Sequence, residues 1–352
     1  MSHLVTLVSG SNAFSGNATR IINLGKHISG ASMLFSPPRI ELKNAAFTHF
    51  SNRPLAMGEK AIKMASDDAR IVHCFKTLPT SGVPSLLGKL KGRPLILDWD
   101  DFEGFGGFAD QDPFPYNHIA DRFEKWIVKR ADALTVVSPF LEKKAREFGF
   151  TKDVHFIPNG ADTEGIKYSF HENRGRLKLL FVGLLYKSSD LDFVLESMMH
   201  VNDMDLTIVG DGPRRKEFER LAAKLGLNVT FVGMKNREEV KQYLYACDIT
   251  MMPFIDNVSN RSRSPVKLGE YLAAGKPVVT NDVGIMQAVI ENGKNGIKTK
   301  DNPEAFAKGV MKLEDVKLRR SISLNARKTA EQYSWGKIAG KLSKVYATFS
   351  RQ

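Results

Sequence analysis

Asn257-Val-Ser-Asn-Arg-Ser-Arg-Ser-Pro-Val-Lys-Leu-Gly-Glu-Tyr-Leu-Ala-Ala-Gly-Lys-Pro-Val-Val-Thr280 decides how the rest of this 352-residue chain is read. Its first third is a polar loop of Ser, Asn and Arg. A helix starts at Pro265, because a residue without an N–H is suited to the first turn. Leu268, Tyr271 and Leu272 give that helix an apolar stripe at helical spacing. Gly275 stops it, and Pro277 to Thr280 reads as a buried strand. The unpaired N–H groups and positive dipole end of such a helix point at whatever the Arg and Ser loop surrounds, which makes an anion site. Glu270 lies one turn beyond Lys267. A carboxylate there repels phosphate and suits neutral hydroxyls, such as a ribose diol. Amides for phosphate and a carboxylate for hydroxyls describe a nucleotide held by its diphosphate and its sugar.

Ser264 to Val279 resembles the donor-site signature of the retaining glycosyltransferases of GT-B fold, family 4 type. That motif carries two glutamates separated by seven residues. Glu270 matches the second, which implies a contact with the nucleotide ribose. Ser262 takes the place of the first, so the glutamate that meets the donor sugar is missing here. The resemblance covers most of the chain and is strongest from about residue 154 onward. It implies an α/β architecture of two facing Rossmann-like doubly wound domains. Residues 1–164 would be the acceptor side and 165–332 the nucleotide-sugar side. Residues 333–352, starting at Tyr333-Ser-Trp-Gly, resemble a terminal helix that packs back on the first domain.

Within the second domain, Leu177 to Gly183 is a strand and glycine turn. In the family an Arg follows that glycine and a Lys comes shortly after, both for the diphosphate. Leu184 and Ser189 stand at those positions. A diphosphate without cationic partners is costly, so a substitute is required, and Lys187, Arg261, Arg263 and Lys267 are the candidates. Asp205 to Pro213 resembles the family's next strand and turn. Val229 to Lys235 resembles the strand and loop whose backbone meets the base, which puts Gly233 and Met234 in the donor set but leaves the base unread. With Pro265 and Val266 at the helix start, the donor set is complete.

Upstream, Leu4 to Val8 is a strand, followed by a Gly/Ser loop ending at Ser15-Gly16 and a helix over about 17–28. No G-x-G-x-x-G is present, so nicotinamide binding gains little. The resemblance places Ser15 and Gly16 near donor phosphate and acceptor; an ordinary strand-to-helix turn is the alternative. Ile71 to Phe75 and Pro94 to Leu97 are further strands, separated by a helix near 81–91. Later come a helix over about 117–130, a strand at 133–138 and a helix at 139–148. Alternation at this spacing argues for a parallel doubly wound sheet.

Strand 94–97 runs into Asp98-Trp-Asp-Asp101 and a Gly/Phe loop to Phe108. Ligands of open α/β sheets sit at the carboxyl ends of strands, where this cluster falls. Crowded carboxylates repel one another and call for a partner. Asp98, Asp100 and Asp101 are therefore the candidate catalytic residues, serving sugar hydroxyls, with helix capping as the alternative. Hard cations also take carboxylates. The family generally works without a bound catalytic metal, so no metal and no cofactor are expected beyond the nucleotide-diphosphate sugar, a co-substrate. His155 reads as a packed strand residue, and Thr163 to Arg176 as an interdomain linker.

Composition is that of a globular chain, with 42% hydrophobic and 26% charged residues. No run approaches the roughly 18 apolar residues of a membrane span, and no signal peptide is read at the N-terminus. Cys74 and Cys247 are isolated, which suits buried reduced thiols and a cytoplasmic location. The net charge of +12 is uneven: 20 Lys and Arg face 18 Asp and Glu in residues 1–164, against 31 and 21 in 165–352. Such an excess fits phosphorylated ligands or peripheral contact with an anionic inner membrane face. Without an arginine-rich tract, RNA-binding motif or zinc-finger spacing, nucleic acid is the weaker partner.

The residues thus point to transfer of a hexosyl group from a nucleotide-diphosphate sugar to a glycan, lipid-linked or small-molecule acceptor. A non-catalytic sugar-nucleotide binder, or another enzyme of the same architecture, is the competing reading.

Overall fold

The computed structural model describes residues 4–9, 16–35, 46–49, 61–64, 66–111 and 113–350. The chain divides into two compact units. Unit 1 holds residues 1–160, 261–266 and 335–352; unit 2 holds 161–260 and 267–334.

Among the described residues, the sheet of unit 1 has seven strands: β1 (Val5–Ser9), β2 (Ala31–Phe35), β3 (Ala46–His49), β4 (Ile71–Phe75), β5 (Leu95–Trp99), β6 (Ala133–Val136) and β7 (Val154–Phe156). All pair in parallel, in the order β3-β2-β1-β4-β5-β6-β7. Parallel strands covered on both faces need apolar runs, and β1, β4 and β5 are buried throughout. Helices α1 (Gly16–Lys26), α2 (Pro79–Leu90), α3 (Tyr116–Val128) and α4 (Pro139–Glu147) connect them. Pro79 and Pro139 stand in the first turns of α2 and α4, and Ser138 caps α4 by accepting from Leu141 N–H.

Unit 2 repeats the plan with six strands: β8 (Leu177–Val182), β9 (Met204–Val209), β10 (Val229–Phe231), β11 (Ile249–Met252), β12 (Val278–Asn281) and β13 (Ile297–Thr299). Their order is β10-β9-β8-β11-β12-β13, again parallel. The helices are α5 (Leu191–Met198), α6 (Arg215–Lys224), α7 (Arg237–Ala246), α8 (Val258–Ser262), α9 (Val266–Ala273), α10 (Ile285–Val289), α11 (Pro303–Met311) and α12 (Val316–Gln332), with the end of α8 and the first residue of α9 falling in the 261–266 segment of unit 1. Leu179, Phe181, Leu206, Ile208, Ile249 and Met251 fill the core with Phe218 and Phe306. Both sheets have the dinucleotide-fold strand order, whose ligand crevice opens at the carboxyl ends where the order reverses. That point lies between β1 and β4 in unit 1 and between β8 and β11 in unit 2.

The last helix, α13 (Trp335–Phe349), belongs to unit 1. It lies against α1, with Gly336 beside His27, and its Tyr346 hydroxyl is 2.6 Å from His73 Nδ1. Two local expectations differ from the structure. Residues 163–176 are not a free linker: Arg327 donates to the carbonyls of Thr163, Ile166 and Ala273 and binds the segment into unit 2. The polar stretch before Pro265 contains helix α8, started by the Asn257 side chain accepting from Asn260 N–H at 2.8 Å. Asn260 is buried and donates to Asp190 at 2.7 Å, which anchors the turn. Cys74 and Cys247 are both buried and unbridged.

Candidate active site

In unit 2 three glycines meet at the carboxyl edge of the sheet. Gly183 N–H donates to Val209 C=O at 3.0 Å, and Gly210 N–H to Gly233 C=O at 2.9 Å. A Cβ on Gly210 would lie 1.8 Å from Gly183 O, so only glycine allows the strand ends to close up. Gly233 has φ +75°, and Met234 after it is exposed. Helix α9 approaches this edge. Its Lys267 donates from Nζ to Val182 C=O at 2.6 Å, and a Cβ on Gly183 would come within 2.8 Å of that ammonium. Of the four cations considered for the diphosphate, Lys267 is the one seated at the Gly183 turn. Lys187 lies exposed in a single 3₁₀ turn, Lys187–Ser189.

The fold of α9 follows the sequence stripe. Leu268, Tyr271 and Leu272 are buried, and the Tyr271 hydroxyl accepts from Val182 N–H at 3.1 Å. Glu270, half-buried, is left on the other side. Burial raises its pKa; Arg237 opposes that rise and Asp162 adds to it, with Lys267 and Lys241 also lowering it. Gly275 ends the helix with φ +71°.

The segment from Arg261 to Val266 belongs to unit 1. Ser262 is fully buried: its hydroxyl accepts from Phe102 N–H at 3.3 Å, and its carbonyl accepts from Ser138 Oγ at 2.9 Å. Ser264 Oγ accepts from Asn159 N–H at 3.2 Å. Arg261 is exposed, Arg263 and Pro265 are half-buried, and Val266 opens α9. The candidate donor cations are thus divided between the units, Lys187 and Lys267 in one and Arg261 and Arg263 in the other.

Unit 1 carries the acidic corner. Lys76 directly follows β4, in the left-handed region at φ +71°. Its Nζ is 2.7 Å from Asp101 Oδ2, 2.7 Å from Glu103 Oε1 and 3.8 Å from Asp100 Oδ1. Burial works against the ammonium, but Asp100, Asp101 and Glu103 outweigh it and hold its pKa well above the ordinary lysine value. Burial lifts the Asp101 carboxyl above its usual range; Lys76 offsets part of that, while Asp100 and Glu103 reinforce it. Asp100 is buried and Asp101 half-buried.

Behind this corner stands Glu124 of α3. Its Oε1 accepts from Thr77 Oγ1 at 2.8 Å, Trp99 Nε1 at 2.8 Å and Glu103 N–H at 2.9 Å. Burial pushes its pKa up to about 8, against those hydrogen bonds.

Asp98 differs from the expectation that it stands open to sugars. It lies within β5, is wholly enclosed, and both oxygens are taken by Arg20, at 2.7 and 2.8 Å. Thr135 donates to it as well. Arg20 also donates to the carbonyls of Ile157 and Pro158, so the pair ties α1 and β5 to the chain after β7. That is the arrangement of a structural ion pair. Ser15 lies outside the described residues; Gly16 is the first residue of α1. Among the described residues, no group of three His, Cys, Asp or Glu side chains is disposed to hold a metal ion, and no helix is long and apolar enough to cross a membrane.

Sequence reasoning missed Lys76, Glu103, Glu124 and Arg20. Lys76 was within reach, because it follows a recognised strand at the same sheet edge as Asp100. Glu124 and Arg20 were not: each sits on an amphipathic helix, and only the packed structure shows it facing inward.

Family models agree with this architecture. One described as Glycosyl transferases group 1 matches residues 162–329, and one described as Glycosyl transferase 4-like domain matches residues 39–160. An uncharacterized glycosyltransferase of Methanocaldococcus jannaschii is 24% identical over 289 residues, 81% of this chain and 77% of that protein. Alpha-D-kanosaminyltransferase of Streptomyces kanamyceticus is 23% identical over 300 residues, covering 78% and 75%. Among solved structures, sucrose-phosphate synthase from Thermosynechococcus elongatus aligns over the whole of both chains with TM-score 0.83 and 16% identity. HepE of Anabaena, in complex with UDP and glucose, aligns over 99% of this chain and all of that one, with TM-score 0.80 and 17% identity. At such identities the structures share the fold.

Proposed function

This chain belongs to the group 1 glycosyl transferases of GT-B fold, and we propose that it moves a hexosyl group, with retention, from a nucleotide-diphosphate sugar to a glycan or lipid-linked acceptor. The observation that carries this reading is Lys267 at the Gly183 turn with Glu270 one turn further along the same helix. The departing diphosphate gains charge as the glycosidic bond breaks. A fixed ammonium and backbone amides at a strand edge stabilise that charge without reorganising. Glu270 accepts from the ribose hydroxyls, and the backbone around Gly233 and Met234 meets the base. Asp100 and Asp101 accept from sugar hydroxyls, with Lys76 compensating their charge. Lys267 takes the place of the missing Arg and Lys as the diphosphate partner.

A lipid-linked acceptor is supported by the outward face of α3. Tyr116, Ile119 and Trp126 are 66%, 48% and 40% exposed, next to Phe114 at 77%. The helix's own acids, Asp121 and Glu124, are buried, while Arg122 and Lys129 are exposed. Arg130 lies 3.9 Å over the Trp126 ring. Aromatic side chains flanked by cations suit an anionic lipid interface.

Two measurements test the reading. Thermal shift against a panel of UDP-, GDP- and ADP-sugars, starting with UDP-glucose, should show one base stabilising the protein, and that donor should be hydrolysed slowly without acceptor. Co-sedimentation with phosphatidylglycerol vesicles should exceed that with phosphatidylcholine and fall in Trp126→Ser. A panel without any response removes the donor reading.

A further inference from the structure

We propose that Glu124 is a positioning residue that works as a neutral carboxylic acid, holding the Asp100–Glu103 corner in place. Its two oxygens are treated very differently by the fold. Three donors, from Thr77, Trp99 and the Glu103 backbone, converge on Oε1. Oε2 is buried without a hydrogen-bond partner among the described residues. A carboxylate spreads its charge over both oxygens and needs donors at each. The three donors on Oε1 suit a carbonyl but by themselves favour a charge; what favours the hydroxyl is the buried, donor-less Oε2 with acids beside it.

Among the described residues, the lysines beside Glu124 are paired with other acids. Lys76 is engaged by Asp101 and Glu103, and Lys125 by Asp121 at 2.7 Å. Among the described residues, two acids face Glu124, Glu103 from the loop after β5 and Asp121 one turn earlier on α3. The glycine at 104 brings that loop against both: a Cβ there would be 2.9 Å from Asp121 Oδ1 and 2.9 Å from Glu124 Oε2. Asp121 accepts in turn from Phe105 N–H at 3.2 Å. The two acids of α3 therefore grip the loop that carries Glu103, and through Glu103 the ammonium of Lys76. Ionising Glu124 would set an uncompensated charge beside Glu103 and loosen that grip. Burial places the change near pH 8.

This inference rests on the reading of Asp100 and Asp101 as sugar-binding groups, but its test needs no turnover, so the two can fail separately. Trp99 donates its indole N–H to Glu124 and is one of three tryptophans. In protein labelled with ¹⁵N-tryptophan, its signal is assigned by the loss seen in Trp99→Phe. The expected result is a shift of that signal with a midpoint near pH 8. Glu124→Gln, isosteric with the neutral acid, should hold the neutral-pH position at every pH. Thr77→Val removes a donor that favours the ionised form and should raise the midpoint. A Trp99 signal that is flat from pH 6 to 9.5, or a midpoint unchanged in Thr77→Val, overturns the proposal, and neither depends on Glu124→Gln folding. Equal titration in Glu124→Gln would assign the change to another group and overturn it as well.

Discussion

Lys76 Nζ and Asp101 Oδ2 are 2.7 Å apart, and the same ammonium is 2.7 Å from Glu103. With its side chain only 14% exposed, Lys76 is the counter-charge for a buried acidic corner. Lys76→Met should destabilise the protein by about 3 kcal/mol, because carboxylates are left buried without a cation. The raised lysine pKa means that the wild-type contribution is complete below the ordinary value of 10.5 and is lost only as pH rises through the higher folded value. The variant should behave in the opposite sense and recover part of its deficit as pH falls and Asp101 takes up a proton. Urea melts of both proteins at pH 7 and pH 5 check this.

Asp98 and Asp101, close in sequence, should separate cleanly in experiment. Asp98→Asn breaks a fully buried pair with Arg20 and should cost about 3–5 kcal/mol of stability. Asp101→Asn keeps shape and leaves Lys76 paired with Glu103, so its melting temperature should hold while turnover falls at least tenfold, about 1.4 kcal/mol of barrier. Melting curves and initial rates on both variants decide it. Normal turnover in an early-melting Asp101→Asn would make the corner structural.

Exhaustive chelation should leave turnover within a small factor. The reason is positional: the Lys76 ammonium already lies among Asp100, Asp101 and Glu103. Activity that vanished with chelator and returned with Mg²⁺ or Mn²⁺ would reassign these carboxylates as metal ligands.

Much of the fold was legible because it rests on local signals. Buried parallel strands such as β4 and β5 are plain apolar runs, and Pro139 and Gly275 mark a helix start and stop by backbone geometry alone. For the same reason Glu270 and Lys267 could be placed one turn apart on one helix. Long-range polar pairing was not. Asp98 and Asp101 read alike in sequence, and what distinguishes them is Arg20, 78 residues away, which encloses one and not the other. Ser262 likewise looked like a lost sugar contact, whereas the fold uses its hydroxyl to hold Phe102 N–H. The sequence left four cations open for the diphosphate, and the fold puts one of them, Lys267, at the Gly183 turn.

The proposed donor site of unit 2 is the centre of the account, and calorimetry with UDP, GDP and ADP on the wild-type protein and Glu270→Gln tests it most directly. One nucleotide should bind the wild type, and the variant, folded and melting normally, should bind that nucleotide more weakly by about 1.5–3 kcal/mol, the range for a hydrogen bond to a charged group. Unchanged affinity in Glu270→Gln, or no binding of any nucleotide to the wild type, would contradict it.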